Sequence, residues 1–556
     1  MLSPSSTANR ETRMKKTFPA AMALLLTLAA ASCRTAGNTA GNAAARRHAV
    51  TTTADSGPGS LRDTLTNALD GDTITFKISK RAAGYDTASR TWTITLTGGE
   101  IAFDKALTIQ GRRAVILDGN AADRILNYGG DRTLTLNGLT FRNGNAAGHA
   151  SNCHGGAVYT RGSATAVGCV FSNNMAESSG AVRTNGGGGA VYACGSIIAT
   201  DCAFAGNAAD AGGAVNANVS VTLRDCALTH NKATFSGGAV HAESGPVTAT
   251  GCVFSFNLAR NSGGGAVFAD KGSVTLADCM FDGNTATYGG AAYAKGDITA
   301  TGCAFFGNKG ELSGGAVYAI NNITLTGFTV TATGCTFAGN TSRTGGAVCA
   351  RHAVISGCVF AGNAASYGGG AVFAHSDAIA VNTVFTGNRI TGSEHAGVVQ
   401  AIDNAYLYHT TVTDGTGTGV YISSLDPSNA RLYAYNSIIA GNSAAIQVGH
   451  GVRGKSTEAF TSEGVSGASL IEGLTDGITR AAVFGENRAD ENGVTAPLAG
   501  GLADKTAAAL TADAIAVPGG GMTAADVIAA LRKDISGAPR PVSGKVSYGA
   551  REQGND

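Results

Sequence analysis

Tryptophan occurs once in 556 residues, charged residues make up only 14%, and the formal net charge is +1. So little charge excludes a bulk electrostatic pull toward nucleic acid or an anionic membrane surface. No apolar run is long enough to read as a confident membrane span. No acidic stretch spaces its ligands as a calcium loop does, and "ADENG" (Ala489–Gly493) comes nearest. What is abundant is glycine, 80 residues, together with Ala, Val and Thr. A chain that is Gly-rich, Thr-rich and poor in helix signals builds many short strands and tight turns. Its length would allow several domains, but its composition argues for one elongated body.

The N-terminal segment is an export signal. "MKKTFPAAMALLLTLAAASC" runs from Met14 to Cys33, with Lys15 and Lys16 ahead of the apolar stretch Ala20–Ala31. The residues before Met14 read as an upstream start overcall. Cys33 follows Ala30, Ala31 and Ser32, which resembles a bacterial lipobox, although Leu is more usual where Ala30 stands. The resemblance implies a lipidated Cys33 as the only membrane attachment. Plain signal-peptidase cleavage nearby is the alternative. Residues 34–49 are polar and small, as in a flexible tether.

The centre of the chain is a repeat. Glycine pairs begin at Gly155, Gly188, Gly212, Gly237, Gly264, Gly289, Gly314, Gly345 and Gly369, with a base spacing of 24–25 residues and two insertions. A second mark, C-x-F-x-x-N, falls at Cys169/Phe171/Asn174, Cys202/Phe204/Asn207, Cys252/Phe254/Asn257, Cys279/Phe281/Asn284, Cys303/Phe305/Asn308, Cys335/Phe337/Asn340 and Cys358/Phe360/Asn363. Cys226/Leu228/Asn231 and Thr383/Phe385/Asn388 are degenerate copies. Each unit shows two short β-like runs, too short for helices. Such a unit cannot bury its apolar face alone, but it can when stacked on its neighbours. The period therefore predicts an all-β chain folded as a parallel β-helix.

In that fold the repeated residues acquire roles. The glycine pair makes a corner needing positive φ or a close backbone approach. The Asn after each Phe is expected to tolerate left-handed backbone at a corner and to form an amide ladder from coil to coil. Phe stacks on Phe inside, and Cys, two residues earlier on the same face, fills space as a buried thiol. A ladder disulfide is the alternative for these cysteines, and a linear array does not make a tetrahedral metal cage.

The repeat resembles that of polymorphic outer membrane proteins, in which GGA(V/I) alternates with F-x-x-N. The flanks resemble a broader set of bacterial right-handed β-helix proteins that includes the choice-of-anchor surface proteins, which implies a single-stranded right-handed parallel β-helix, a pectate-lyase-like solenoid. "VTTTADSGPGSLRDTLTNALDGDTITF" (Val50–Phe76) matches their opening. "LTIQGRRAVILDGN" (Leu107–Asn120) and "LTLNGLTFRNGNA" (Leu134–Ala146) match first coils, and "YAYNSIIAGN" (Tyr433–Asn442) matches a late one. "DISGAPRPVSGKVSYGARE" (Asp534–Glu552) matches their closing motif. The organisation that follows is a cap and first coils over 50–147, repeat coils over 148–400, late coils over 401–445 and an irregular region with the closing motif over 446–556. The outer-membrane family implies a C-terminal autotransporter barrel. Nothing after Asn442 has the alternating strand pattern of one, so no barrel is expected. "TAADVIAALRKD" (Thr523–Asp534) reads as a short helix with Thr523 at its N-cap.

The resemblance implies a non-catalytic, adhesin-like protein of the cell outer membrane, cell surface or medium. It would act as a monomer without cofactor or metal. Its partner would be a host macromolecule, a glycan or another surface protein. A polysaccharide lyase or hydrolase and a structural spacer are the alternatives. An enzyme needs clustered carboxylates, often with Lys or Arg. Asp201, Asp225 and Asp278, each before a ladder Cys, are the few candidates, and they read as a solvated position that elsewhere accepts Gly. His230 and His241 read as surface residues. The candidate binding stripe is the residue after GGA(V): Tyr159, Tyr192, Asn216, His241, Phe268, Tyr293, Tyr318, Cys349 and Phe373. If Val and Ala point inward, this stripe points outward, where aromatics stack on sugars or anchor a protein. With the alternation inverted, these rings fill the core.

Overall fold

The computed structural model describes residues 45–149, 152–178, 186–319, 329–392, 396–423, 431–435, 437–440 and 442–448, with the short strands Val465–Ser466 and Leu470–Ile471. Cys33, most of the insertion "SGAVRTNGG" (Ser179–Gly187), Ala489–Gly493, Thr523–Asp534 and the closing motif lie outside the described residues. The chain is divided at Ala45, and the second unit is Arg46–Asp556. The second holds a parallel β-solenoid.

One coil shows the plan. Val215–Ala217 runs in a 14-stranded sheet, here sheet B. After a turn, Val221–Arg224 and Ala227–Thr229 run in the largest sheet, sheet A, separated by a bend at Asp225 and Cys226. Past Asn231 the chain enters the nine-stranded sheet C as Lys232–Ser236. Gly237 and Gly238 then return it to sheet B at Val240. Each strand pairs in parallel with its counterpart one coil on: Val215 with Val240, Val221 with Val247, Leu228 with Phe254 and Lys232 with Leu258. The sequence suggests two runs per unit. There are four short strands in three sheets, because the run over sheet A is broken and sheet C leaves no clear mark in the sequence.

The break in sheet A has a backbone cause. The residue before each ladder Cys holds φ between +47° and +64°, from Gly138 through Gly168, Asp201, Asp225, Gly251 and Asp278 to Asn382 and His409. Gly, Asn and Asp tolerate this left-handed geometry best. Asp201, Asp225 and Asp278 thus share a column with Gly for a conformational reason.

The glycines of each pair differ in task. The first sits at φ +58° to +69°. The second would carry its Cβ 1.9–2.3 Å from the carbonyl oxygen of the matching Gly one coil on, from Gly156 through Gly346. One supplies handedness and the other supplies room.

The interior repeats the same way. Phe141, Phe171 and Phe204 stack, Leu228 interrupts, and Phe254, Phe281, Phe305, Phe337, Phe360 and Phe385 stack again. Successive centroids lie 4.6–5.0 Å apart, which is the strand spacing. Each ladder Asn donates Nδ2 to the next: Asn284 to Asn308 Oδ1 at 3.0 Å, and back to the Phe254 carbonyl at 2.9 Å. Its own Oδ1 accepts both the backbone N–H and the Nδ2 of Asn257. The chain of amides runs unbroken from Asn174 through Asn207, Asn231, Asn257, Asn284, Asn308, Asn340 and Asn363 to Asn388.

The expectation that the ladder Asn itself takes left-handed backbone is corrected. The positive φ falls one residue earlier, at Gly206 before Asn207, Gly339 before Asn340 and Gly362 before Asn363, at +61° to +65°. That residue turns the chain, which leaves the Asn side chain free to point inward. Asn174, Asn207, Asn257, Asn284, Asn308, Asn340 and Asn363 are all 0–1% accessible, so these amides are internal struts and not solvated corners. Burial without a partner would be costly, and every Nδ2 here has two acceptors, as Asn207, Asn340 and Asn363 do in the Phe171, Phe305 and Phe337 carbonyls and the next Asn.

The ladder cysteines Cys169, Cys202, Cys226, Cys252, Cys279, Cys303, Cys335 and Cys358 are buried free thiols. Their Sγ donates to the carbonyl two residues back, Cys279 to Ala277 at 3.2 Å. Thr383 Oγ1 takes over that bond, to Val381 at 2.9 Å, and Thr410 does the same to Tyr408.

At the N-terminal end, helix α1 (Leu61–Asn67) covers the first coils. Ser60 Oγ accepts the Asp63 N–H, and Leu61 and Leu65 enter the core. Arg47–Val50 pairs with Thr73–Phe76, so the last residues expected as tether form the first strand.

Candidate functional site

The stripe occupies one column of sheet B. Asn127, Tyr159, Tyr192, Asn216, His241, Phe268, Tyr293, Tyr318, Cys349, Phe373, Gln400 and Tyr421 stand in register. Val and Ala on either side belong to the solenoid interior, so the column points away from it. Pointing outward does not expose it. Tyr192, His241, Phe268 and Phe373 are only 4–8% accessible, and Cys349 is fully buried. Asn127, Tyr159, Tyr293 and Tyr318 stay half-open. Both readings of the stripe are therefore corrected: these side chains neither fill the coil nor form a continuous exposed surface.

The cover comes from the end of the sheet C run, just before the chain returns to sheet B. The residue before the glycine pair lies against the stripe at His154, Gly187, Gly263, Tyr288, Ser313 and Gly368, and the same position holds Ala211, Ser236 and Thr344 in other coils. Most are small because the rings occupy the space. A Cβ on Gly263 would fall 1.8 Å from the Tyr293 ring, and one on Gly187 would fall 3.0 Å from Tyr192. The two bulky members pack onto the stripe instead. His154 stacks on Tyr192 with centroids 4.1 Å apart, and Tyr288 meets Tyr318 at 5.2 Å. A small residue before GG was the available signal for this covering.

Two polar groupings flank the column. Midway, half-buried Tyr288, Tyr293 and Tyr318 form one aromatic cluster with Phe268, with centroid spacings of 4.9–6.4 Å. Burial pushes the Tyr293 phenol up to about 12. Alongside, Lys295 pairs with Asp270 at 2.5 Å. Burial, then the neighbouring Asp270, holds the Glu243 carboxyl above its ordinary range. The surface position expected for His241 is corrected as well. It is buried, neither ring nitrogen has a hydrogen-bond partner among the described residues, and burial drives its pKa down to about 4.

At the N-terminal end lies a network that sequence reasoning missed. Arg124, 1% accessible, donates to Glu100 Oε2 at 2.5 Å and to the carbonyls of Asn152, His154 and Gly155. Asn127 donates to Glu100 Oε1, and His149 Nε2 donates to Asp123 Oδ1 at 2.6 Å. Possible ligand atoms of Glu100, Asp123 and His149 lie within 4.8 Å of one another. Protein donors already engage the carboxylate oxygens, and the buried Arg124 guanidinium touches the same Glu100 oxygen a cation would need. The donor set fits a structural knot that ties His149, Asn152, His154 and Gly155 to the first coils. Its bonded members lie 23–31 residues apart, with no local motif to mark them.

Asp201 and Asp225 line an open cleft of about 330 Å³ on sheet A with Arg113, Gly168 and Cys202. Asp201 pairs with Arg113 at an exposed site, where such pairs contribute about 0–1 kcal/mol. Asp278 is not among the cleft residues. His230 is exposed and stacks on Phe256 at 5.3 Å.

A comparison with protein families matches the model described as Right handed beta helix region to residues 124–305 and again to 214–383. The similarity agrees with the parallel three-sheet coils and carries their right-handed sense. No curated protein and no solved structure matches the chain.

Proposed function

We propose that this right-handed parallel β-helix is a non-catalytic, exported surface protein that binds an extended glycan on the outer side of sheet B. The observation that carries this reading is the half-open cluster of Tyr288, Tyr293 and Tyr318 beside the Asp270–Lys295 pair. Aromatic faces pack on the apolar faces of sugar rings, and adjacent charged groups accept from and donate to hydroxyls. Successive rungs repeat at the strand spacing, so a polymer can be followed across coils. The adhesin-like repeat resemblance and the basic-apolar start at Met14 support a location at the cell surface or outer membrane, with Cys33 as a lipid anchor.

A catalytic reading draws on one observation: the Glu243 carboxyl is held above its ordinary range beside Asp270, and glycan cleavage uses paired carboxylates of unequal acidity. Size-exclusion chromatography separates the readings. The whole mature protein is mixed with galactomannan, polygalacturonate, hyaluronan and matrix proteins in turn. A polysaccharide that co-elutes intact supports binding. A polysaccharide that elutes later, shortened, shows an enzyme. No shift with any panel member favours a structural spacer.

A further inference from the structure

The outward face of sheet A changes character along the solenoid. One outward column reads Thr275, Thr299, Thr331, then Val354, Ile379 and Tyr406. Thr275 and Thr299 are exposed, whereas Val354, Ile379 and Tyr406 are 2–8% accessible. The next column does the same: Thr301 and Thr333 are exposed, Val381 and Tyr408 are buried. The opposite, inward face of these strands is buried as well. Over His352–Ser356, Ala378–Val381 and Asn404–Tyr408, sheet A is therefore covered on both sides. Sequence agrees: "VTAT" alternates, while "AIAV" and "AYLY" are nearly continuous apolar runs, the pattern of strands buried on both faces.

We infer that this face is an intramolecular docking surface for the C-terminal segment of the chain, residues 472–556, with the helix expected over Thr523–Asp534 laid across it. The chain leaves the solenoid at the right place. Val465–Ser466 and Leu470–Ile471 pair with Ala434–Tyr435 and Ile438–Ile439, at the end of sheet A itself. The segment has the right chemistry. Ala524, Val527, Ile528 and Leu531 share one helical face, with Asp526 and Lys533 opposite. It has the right size too: twelve helical residues span about 18 Å, and three rungs span roughly 10–15 Å. An apolar helix stripe on an apolar sheet face is the standard way to bury both.

The test uses the full chain carrying Ile379→Cys or Thr299→Cys, two positions of one column. A bulky maleimide is applied and labelling of each peptide is followed by mass spectrometry. Labelling at position 379 is expected to be at least tenfold slower than at 299. Adding Val527→Asp and Leu531→Asp brings it within twofold. Equal rates in the parent chain would overturn the proposal, as would protection that persists in the charged-helix variant, since another segment would then be the cover. Should that variant misfold, a protease site inserted after Gly477 gives a second reading. The cut fragment is expected to co-elute with the solenoid, and a fragment eluting alone contradicts the inference.

Discussion

At the scale of single residues, two glycines separate conformation from contact. Gly307 stands at φ +56° with open space where a Cβ would go. Gly290 is the second of its pair, and its Cβ would lie 2.2 Å from the Gly315 carbonyl oxygen. Gly307→Ala should cost about 1–2 kcal/mol for left-handed geometry alone. Gly290→Ala should cost about 3 kcal/mol or more, because two backbones must part. Urea unfolding of both variants measures the difference. His241 offers a pH test. Its folded pKa of about 4 lies below the ordinary value of 6.5. The unfolded chain therefore binds a proton first as pH falls. The stability associated with a neutral His241 is fully present above about 6.5 and is lost by about pH 4, some 3 kcal/mol in all. His241→Phe, which copies Phe268 and Phe373 of the same column, should flatten that part of the stability–pH curve. An unchanged slope would mean the histidine titrates freely.

At the scale of the element, the ladders can be taken apart. Asn284→Ala removes two donated bonds and strips the acceptor from Asn257, so a loss of about 3–5 kcal/mol is expected by chemical denaturation. Cys279→Thr should cost less than about 1 kcal/mol, because Thr383 and Thr410 already make the thiol's bond in later coils. These columns were legible in the sequence because Phe, Cys, Asn and Gly-Gly each occur once per coil at nearly constant spacing. Which residue of the Asn corner turns left-handed was not, because Gly206, Gly339 and Gly362 share their position with Asn173, His230 and Phe256 in other coils. Sheet C was not legible either. Its strands are two to five residues long and several bury a single alanine, such as Ala233 or Ala286, so no apolar period announces them. The stripe was half legible: alternation gave its outward direction, but its covering depends on a residue at the far end of the coil. The Glu100–Arg124–His149 knot joins successive coils and had no local signature.

At the scale of the whole molecule, the solenoid has faces of different character. Sheet A presents open threonine columns on its middle coils and a covered apolar face on its last ones. Sheet B is roofed along most of its outer column and half-open at the tyrosine cluster. That opening is where the binding reading is most open to refutation. The decisive measurement is calorimetric titration of a polymer that co-elutes with the protein into the parent chain and into the double variant Tyr293→Ala, Tyr318→Ala. The expected result is at least a tenfold loss of affinity, about 1.4 kcal/mol or more, with the circular dichroism of the solenoid unchanged. Equal affinity in the two proteins would place the glycan elsewhere and contradict the binding reading.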